Sequence, residues 1–188
     1  MRSYIDVRLR PDPEVAEHQL MSAMFGRLHL ALVQVGRQDI GVSFPEHNES
    51  RPTLGAVLRL HGSEDALSAL QASDWQRRLS DYATILPMAA VPSASGHRVV
   101  SRVQAKSGID RMRRRAMRRH GYDAAEAAQR VPESARETLA LPFITIGSRS
   151  TGQPSFPLFI RHGAVRQEAV QGSFNSYGLS TQATVPWF

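Results

Sequence analysis

The run Tyr4-Ile-Asp-Val-Arg-Leu9 alternates strictly, with Ile5, Val7 and Leu9 on one side and Tyr4, Asp6 and Arg8 on the other. A period of two predicts a strand with one buried face. Pro11 and Pro13 end it, and apolar residues then recur at helical spacing to about Val35. Met21, Met24, Phe25, Leu28, Leu32 and Val35 share one stripe of that helix, and Gly36 supplies its stop. Ile40 to Phe44 reads as a second strand stopped by Pro45, and Leu54 to His61 as a third. A helix from Ser63, its expected cap, to Ala72 follows, and Tyr82 to Leu86 reads as a fourth strand. The order β-α-β-β-α-β is the ferredoxin-like split βαβ plan, which RNA-recognition domains also use.

Pro87 to Gly96 has two prolines and no periodicity, so a domain boundary is expected there. The expected division is residues 1–92, ferredoxin-like, and residues 98–188, a smaller α+β domain. In the second, Arg98 to Gln104 reads as extended. Ser107 with Asp110 fits a capping box opening a helix over 108–120, and Gly121 closes it. Asp123 and Pro132 bracket a short helix, and another runs to about Leu139. Strands are expected at Phe143 to Ile146, Phe156 to Arg161 and Tyr177 to Leu179. The fold class is therefore α+β.

Of 188 residues, 41% are hydrophobic and 21% charged, which excludes wholesale disorder. No apolar run approaches the roughly 20 residues of a transmembrane helix, and Met1 to Arg10 alternates charges rather than opening a signal peptide. A soluble cytoplasmic protein with no membrane partner is expected. Absence of cysteine excludes disulfides, thiolate metal sites and a thiol nucleophile.

The net charge of +6 is not spread evenly. Arg98 to His120 holds nine of the 23 basic residues and one of the 17 acidic ones, so that segment carries +8. The rest, 14 basic against 16 acidic, carries −2. All basic residues but Lys106 are arginine. Codon bias could explain the shortage of lysine, but not the clustering. Guanidinium forks grip phosphates and guanine edges in pairs, so a local arginine patch points to nucleic acid. At 100° per residue, Arg111, Arg114, Arg115 and Arg118 share one helix face, Ile109, Met112 and Ala116 the other, with Arg113 and Arg119 nearer the flanks. Upstream, Arg102 and Gln104 fall on one side of the extended segment, an arginine for guanine and a glutamine for adenine. A solvated basic face is the plainer alternative.

No metalloprotease, phosphate-loop or nucleophile-elbow motif is present, and the carboxylates do not cluster as a two-metal nuclease needs. RNA cleavage would then use the adjacent 2′-hydroxyl, a histidine suiting the proton transfers, with no metal and no cofactor called for. His18, His29, His47, His61, His97, His120 and His162 compete for that role. His29 lies at the edge of the first helix's apolar stripe, half sheltered yet reachable. Ser148, Ser150 and Thr151 follow an apolar strand, where serines are commonly only turn formers. Phe156, between Pro154 and Pro157, is either a base-stacking aromatic or a core residue.

Several blocks resemble the CRISPR repeat endoribonucleases of the Csy type, which process precursor crRNA in type I-F systems. They are Tyr4-Ile-Asp-Val-Arg-Leu-Arg-Pro-Asp-Pro13, Gln19-Leu-Met-Ser22, Phe25-Gly26 with Leu28-His29, and Ile40-Gly-Val-Ser-Phe-Pro45. Val100-Ser-Arg-Val-Gln-Ala-Lys-Ser107, the arginine helix, Leu158-Phe-Ile-Arg-His-Gly163 and Val185-Pro-Trp-Phe188 complete the set. The resemblance implies metal-independent cleavage at the 3′ base of the repeat hairpin, leaving a 2′,3′-cyclic phosphate or 3′-phosphate and a 5′-hydroxyl. It implies that the arginine helix enters the hairpin's major groove. His29 matches the family's catalytic histidine, Ser148 the serine that holds the 2′-hydroxyl, Ser150 its neighbour, and Tyr177 the tyrosine that orients the histidine. By the same resemblance Arg102 and Gln104 read bases near the bottom of the stem. Phe156 stacks on the terminal pair, and Arg115 lies near the scissile region among the RNA-binding residues Arg111, Arg114, Arg118, Arg119 and His120. The implied partners are precursor and mature crRNA and other Cas proteins of a type I-F surveillance complex. A hairpin-binding subunit without catalysis, or a double-stranded DNA binder, would share the basic helix.

Overall fold

The computed structural model describes residues 1–77, 79–104, 109–132, 139–147 and 155–188. Its contacts divide the chain into two units, Met1–Val103 with Leu141–Phe188, and Gln104–Ala140.

The larger unit opens with β1 (Ser3–Leu9), α1 (Glu17–Val35), β2 (Gly41–Ser43), β3 (Val57–Gly62), α2 (Glu64–Ala72) and β4 (Ala83–Ile85). These strands make an antiparallel sheet in the order β2-β3-β1-β4, which is the ferredoxin-like order as well as the ferredoxin-like sequence of elements. The alternation of β1 sets its register: Ile5 faces Leu60 and Val7 faces Leu58, all buried, while Asp6 faces Arg59 across the ladder. Arg59 donates from Nε and Nη2 to the two Asp6 carboxylate oxygens at 2.6 and 2.8 Å, and from Nη1 to the Phe188 carbonyl at 3.0 Å. Its guanidinium also lies over the rings of Tyr4 and Phe188, so every face of a largely buried cation is used.

The stripe on α1 is buried as expected, from Leu20 and Met21 through Met24, Phe25 and Leu28 to Leu32. The helix starts later than Pro13, at Glu17, because Asp12 Oδ1 takes the Glu14 and Val15 N–H groups into a turn. Gly36 ends it at φ 68°, its N–H on the Leu32 carbonyl. Ser63 caps α2 through its hydroxyl, which accepts the Ala66 N–H at 3.1 Å.

Past the prolines, β5 (Ala89–Ala90) returns to β1, a pairing that the absence of periodicity over residues 87–96 hid. The second sheet contains β6 (Gly96–Val103), β7 (Phe143–Ile146), β8 (Phe156–His162) and β9 (Thr184–Trp187) in the order β7-β8-β6-β9. Its Val100, Ile144, Leu158, Ile160 and Val185 join the same buried core as α1 and the first sheet. One sequence expectation fails here, and one strand was not foreseen. Tyr177 to Leu179 is a turn rather than a strand, for reasons given below. The last strand is β9, four residues long with Pro186 inside it, and a proline ordinarily argues against a strand. Pro186 is accommodated because β9 pairs with β6 along one edge only in the sheet order.

The smaller unit holds α3 (Ile109–His120) and α4 (Ala124–Arg130). Gly121 stops α3 at φ 69°. Asp123 and Glu126 form a reciprocal capping box at the start of α4, at 2.8 and 3.2 Å. The expected cap at Ser107 and the third helix near Leu139 fall on residues outside the described ones. No described helix is long and apolar enough to cross a membrane.

Burial pushes the imidazoles of His61 and His162 down to about 3. Both are therefore neutral in the folded chain at pH 5, whereas an unfolded histidine titrates near 6.5. Below 6.5 the unfolded state binds the extra protons, so stability falls as pH drops from 6.5 toward 3. Each imidazole contributes about 1.4 kcal/mol per pH unit to that slope. Urea unfolding at pH 7, 6 and 5 measures it, and His162→Phe removes the share of one group; a slope unchanged by that substitution would contradict the assignment.

Candidate active site and arginine helix

Two residues one helical turn apart on α1, Phe25 and His29, project along the same edge of the helix. Phe25 is fully buried and His29 partly exposed, so the edge passes from core to cleft between them. The Tyr177 ring stacks on His29 with centroids 4.1 Å apart and planes 14° off parallel. The same ring lies nearly parallel to Phe25 at 6.3 Å. His29 Nδ1 sits 2.8 Å from the Ser176 carbonyl oxygen. A carbonyl only accepts, so Nδ1 carries a proton, and in the neutral ring Nε2 keeps the lone pair. The ring is thereby held in one tautomer and one plane.

His29 lines a cleft of about 940 Å³. One wall is α1, through Ser22, Gly26 and Leu30. The other is the end of β7, Ile146 and Gly147, with Phe156 at the head of β8. The two walls are tied by Ser22, whose hydroxyl donates to the His18 carbonyl and accepts the Thr145 N–H at 3.1 Å. Phe156 is half buried, packed partly on the core and partly open to the cleft. Arg102 lies over the Phe156 ring, its guanidinium carbon 5.6 Å from the centroid, and its Nε is buried without a partner among the described residues. The structure thus brings His29, Tyr177, Phe156 and Arg102 into one neighbourhood. Ser148 and Ser150 lie outside the described residues, but Gly147, next to Ser148 in the chain, lines the cleft.

The other histidines sort themselves. His61 Nε2 is bound to the Ser43 hydroxyl at 2.8 Å inside the first sheet. His162 is buried under the His47 ring at 3.7 Å, and His47 Nδ1 is taken by the Phe44 carbonyl. His47 is also held below the usual histidine range, chiefly by burial and then by the Arg98 cation. His120 stacks on Tyr122, in the smaller unit. His18 is exposed and also lines the cleft, three turns along α1 from His29. Sequence reading missed Phe25 as a ring partner and the Ser176 carbonyl altogether. The first had a signal, an aromatic four residues before His29; a main-chain acceptor has none.

In the smaller unit α3 presents Arg111, Arg114, Arg115, Arg118, Arg119 and His120 to solvent and shelters Ile109, Met112, Ala116 and Met117, close to the expected division. Arg113 turns inward and its Nε donates to the Val131 carbonyl at 3.0 Å. Among the described residues no carboxylate pairs with the exposed guanidiniums of Arg111, Arg114, Arg115, Arg118 and Arg119. Arg111, Arg114 and Arg118 rim a hollow of about 560 Å³ with Met117 at its side. Gln104, which opens this unit, is exposed.

The turn that carries Ser176 and Tyr177 depends on Gly178. Its φ is 69°, and a Cβ there would stand 2.4 Å from Val42 Cγ2. Gly178→Ala is expected to cost about 1–3 kcal/mol through overpacking and the unfavourable φ, read by urea unfolding; a neutral result would mean that the turn does not need this geometry.

The family described as CRISPR-associated protein (Cas_Csy4) matches residues 4–188. A protein of Pseudomonas aeruginosa (strain UCBPP-PA14), named CRISPR-associated endonuclease Cas6/Csy4, is 52% identical over 188 residues, all of both chains. One of the same name from Escherichia coli (strain UTI89 / UPEC) is 46% identical, again over the whole of both chains. A solved structure described as "An RAMP protein binding different RNA substrates" is a remote likeness, with a TM-score of 0.35 and 11% identity over 98% of this chain and 99% of its own. With two full-length relatives at this identity, and a family match from Tyr4 to Phe188, the chain belongs to the Cas_Csy4 family of CRISPR-associated proteins.

Proposed function

We propose that this chain is an endoribonuclease that cleaves precursor crRNA at the 3′ base of the CRISPR repeat hairpin, without a metal ion, by attack of the adjacent 2′-hydroxyl. One observation carries the chemistry: His29, which lines an open cleft, has its Nδ1 on the Ser176 carbonyl, so the neutral ring has its lone pair on Nε2. That nitrogen takes the 2′-hydroxyl proton. The 2′-oxygen then bonds to the adjacent phosphorus as the bond to the 5′-oxygen breaks. The departing 5′-oxygen gains a proton from water, so the products are a 2′,3′-cyclic phosphate and a 5′-hydroxyl. Tyr177 keeps the imidazole in plane by stacking. Ser148 holds the 2′-hydroxyl and Ser150 assists beside it, a reading that rests on the sequence resemblance and on the position of Gly147 at the cleft.

Affinity is supplied separately. The exposed guanidiniums of α3 grip the hairpin's phosphates and base edges, Arg115 toward the scissile end. Arg102 and Gln104 read bases low in the stem, and Phe156 stacks on its last pair. The ferredoxin-like residues 1–92 contribute the base and residues 98–188 the hairpin grip. The cleaved hairpin stays bound, and the chain works in the cytoplasm with other Cas proteins of a type I-F surveillance complex.

The test is cleavage in EDTA of the host repeat hairpin, beside a copy with one 2′-deoxy sugar upstream of the cut. The first is cut and the second is not. If the hairpin binds and neither is cut, the chain is a binding subunit and the catalytic assignment fails. His29→Ala is expected to lower the cleavage rate by about 10²–10⁴-fold while affinity for the product hairpin is kept. Arg115→Ala or Arg118→Ala is expected to weaken binding and to reduce the slope of log affinity against log salt by about 1; an unchanged slope would remove α3 from the phosphate contacts.

A further inference from the structure

The Ser176 carbonyl that fixes His29 belongs to a turn held by main-chain hydrogen bonds and by one side chain, that of Asn175. Residues 174–179 form a turn standing on two buried feet, Phe174 and Leu179, with an exposed tip at Asn175 and Ser176. The feet are anchored by the main chain: the Phe174 N–H donates to the Gln38 carbonyl, and the Gly178 carbonyl accepts the Val42 N–H, both at 2.9 Å. At the tip, Asn175 Oδ1 accepts the Tyr177 N–H at 2.9 Å and the Leu179 N–H at 3.2 Å. The Asn175 main chain closes the same loop, its N–H on the Leu179 carbonyl and its carbonyl on the Gly178 N–H. Asn175 is exposed, so packing does not dictate its identity; what the position requires is a short side-chain acceptor.

We propose that Asn175 is a positioning residue for the His29 reaction: its side chain holds the turn that presents the Ser176 carbonyl to His29 Nδ1. The proposal rests on His29 being the base. The Tyr177 N–H bound by Asn175 Oδ1 shares one planar peptide unit with the Ser176 carbonyl, so that bond fixes which way the carbonyl points, and the Leu179 N–H ties down the far side of the turn. They also fix where the Tyr177 ring lies. Without that acceptor the feet and the main-chain closure at Asn175 remain, but the Tyr177 N–H loses its partner, and the Ser176 carbonyl turns away from the imidazole. A neutral histidine without an Nδ1 acceptor favours the proton on Nε2, which is the nitrogen that must be bare for the reaction. Ground-state RNA affinity does not depend on which nitrogen carries the proton, so the loss falls on the cleavage step.

Three measurements on the full chain test this, with Asn175→Ala and Asn175→Asp beside the wild type. Single-turnover cleavage of the hairpin is expected to fall about tenfold or more in Asn175→Ala, with product-hairpin affinity unchanged. Asn175→Asp, which keeps an acceptor oxygen at the same reach, restores most of the rate. Long-range proton–nitrogen spectra of the His29 ring are expected to show the Nδ1–H tautomer in the wild type and in Asn175→Asp, and the Nε2–H tautomer gaining in Asn175→Ala. A wild-type rate and tautomer in Asn175→Ala would overturn the proposal. So would equal loss of rate, hairpin affinity and thermal stability in both variants, because that is a folding role. If the wild type itself fails to cut, or His29→Ala still cuts, the underlying reading fails instead. The tautomer spectra continue to decide whether Asn175 positions the ring.

Discussion

The hydrogen bond between His29 Nδ1 and the Ser176 carbonyl joins residues 147 positions apart, and the site exists only while both ends are held. At one end, His29 borders the buried stripe of α1, so its backbone is fixed by the core that Met21, Met24, Phe25 and Leu28 build. At the other, the chain must return from the second sheet and lay the 174–188 segment beside β2 and β6. Three things secure that return: the Val42 to Gly178 hydrogen bond, the pairing of β9 with β6, and the buried pair of Arg59 with Asp6, which also binds the Phe188 carbonyl. Breaking a buried pair of this kind is costly because the remaining charge is left uncompensated. The ferredoxin-like half alone would therefore leave His29 as one more half-exposed histidine.

Much of this was readable from the residues. Strict alternation in Tyr4 to Leu9 gave the strand and its buried face, and the observed pairing with β3 keeps Asp6 and Arg8 out of the core. The α1 stripe, the Gly36 stop and the Ser63 cap follow from local chemistry and are present. So is the two-faced character of α3, in which only side-chain polarity and the helical period matter.

The failures are equally specific. Residues Tyr177 to Leu179 look strand-like by composition, but Asn175 supplies an acceptor two and four residues ahead and Gly178 adopts a positive φ, and together these turn the chain. Strand β9 was hidden by Pro186, since a four-residue run with a proline inside does not declare itself. The choice among seven histidines could not be made from spacing at all. It depends on burial of His61 and His162, on the carbonyl that occupies His47 and on the one that orients His29, and main-chain acceptors leave no mark in the sequence. For that reason the family resemblance, rather than pattern, singled out His29, and the oriented ring in the cleft is what supports the proposed role.

The proposed separation of the base from the grip has a chemical logic. A proton acceptor works best where its ring is locked and its lone pair is free, which suits a rigid helix edge packed on two sheets. Phosphate binding needs many weak, salt-sensitive contacts, which a solvent-facing arginine helix provides. The most direct test of the account is the crystal structure of this chain with the uncut hairpin carrying the single 2′-deoxy sugar. The account predicts the C2′ atom of that sugar against His29 Nε2, with the His29 to Ser176 hydrogen bond intact and α3 on the stem. A hairpin bound with its scissile phosphate away from the cleft, or an imidazole turned so that Nε2 meets the Ser176 carbonyl, would contradict it.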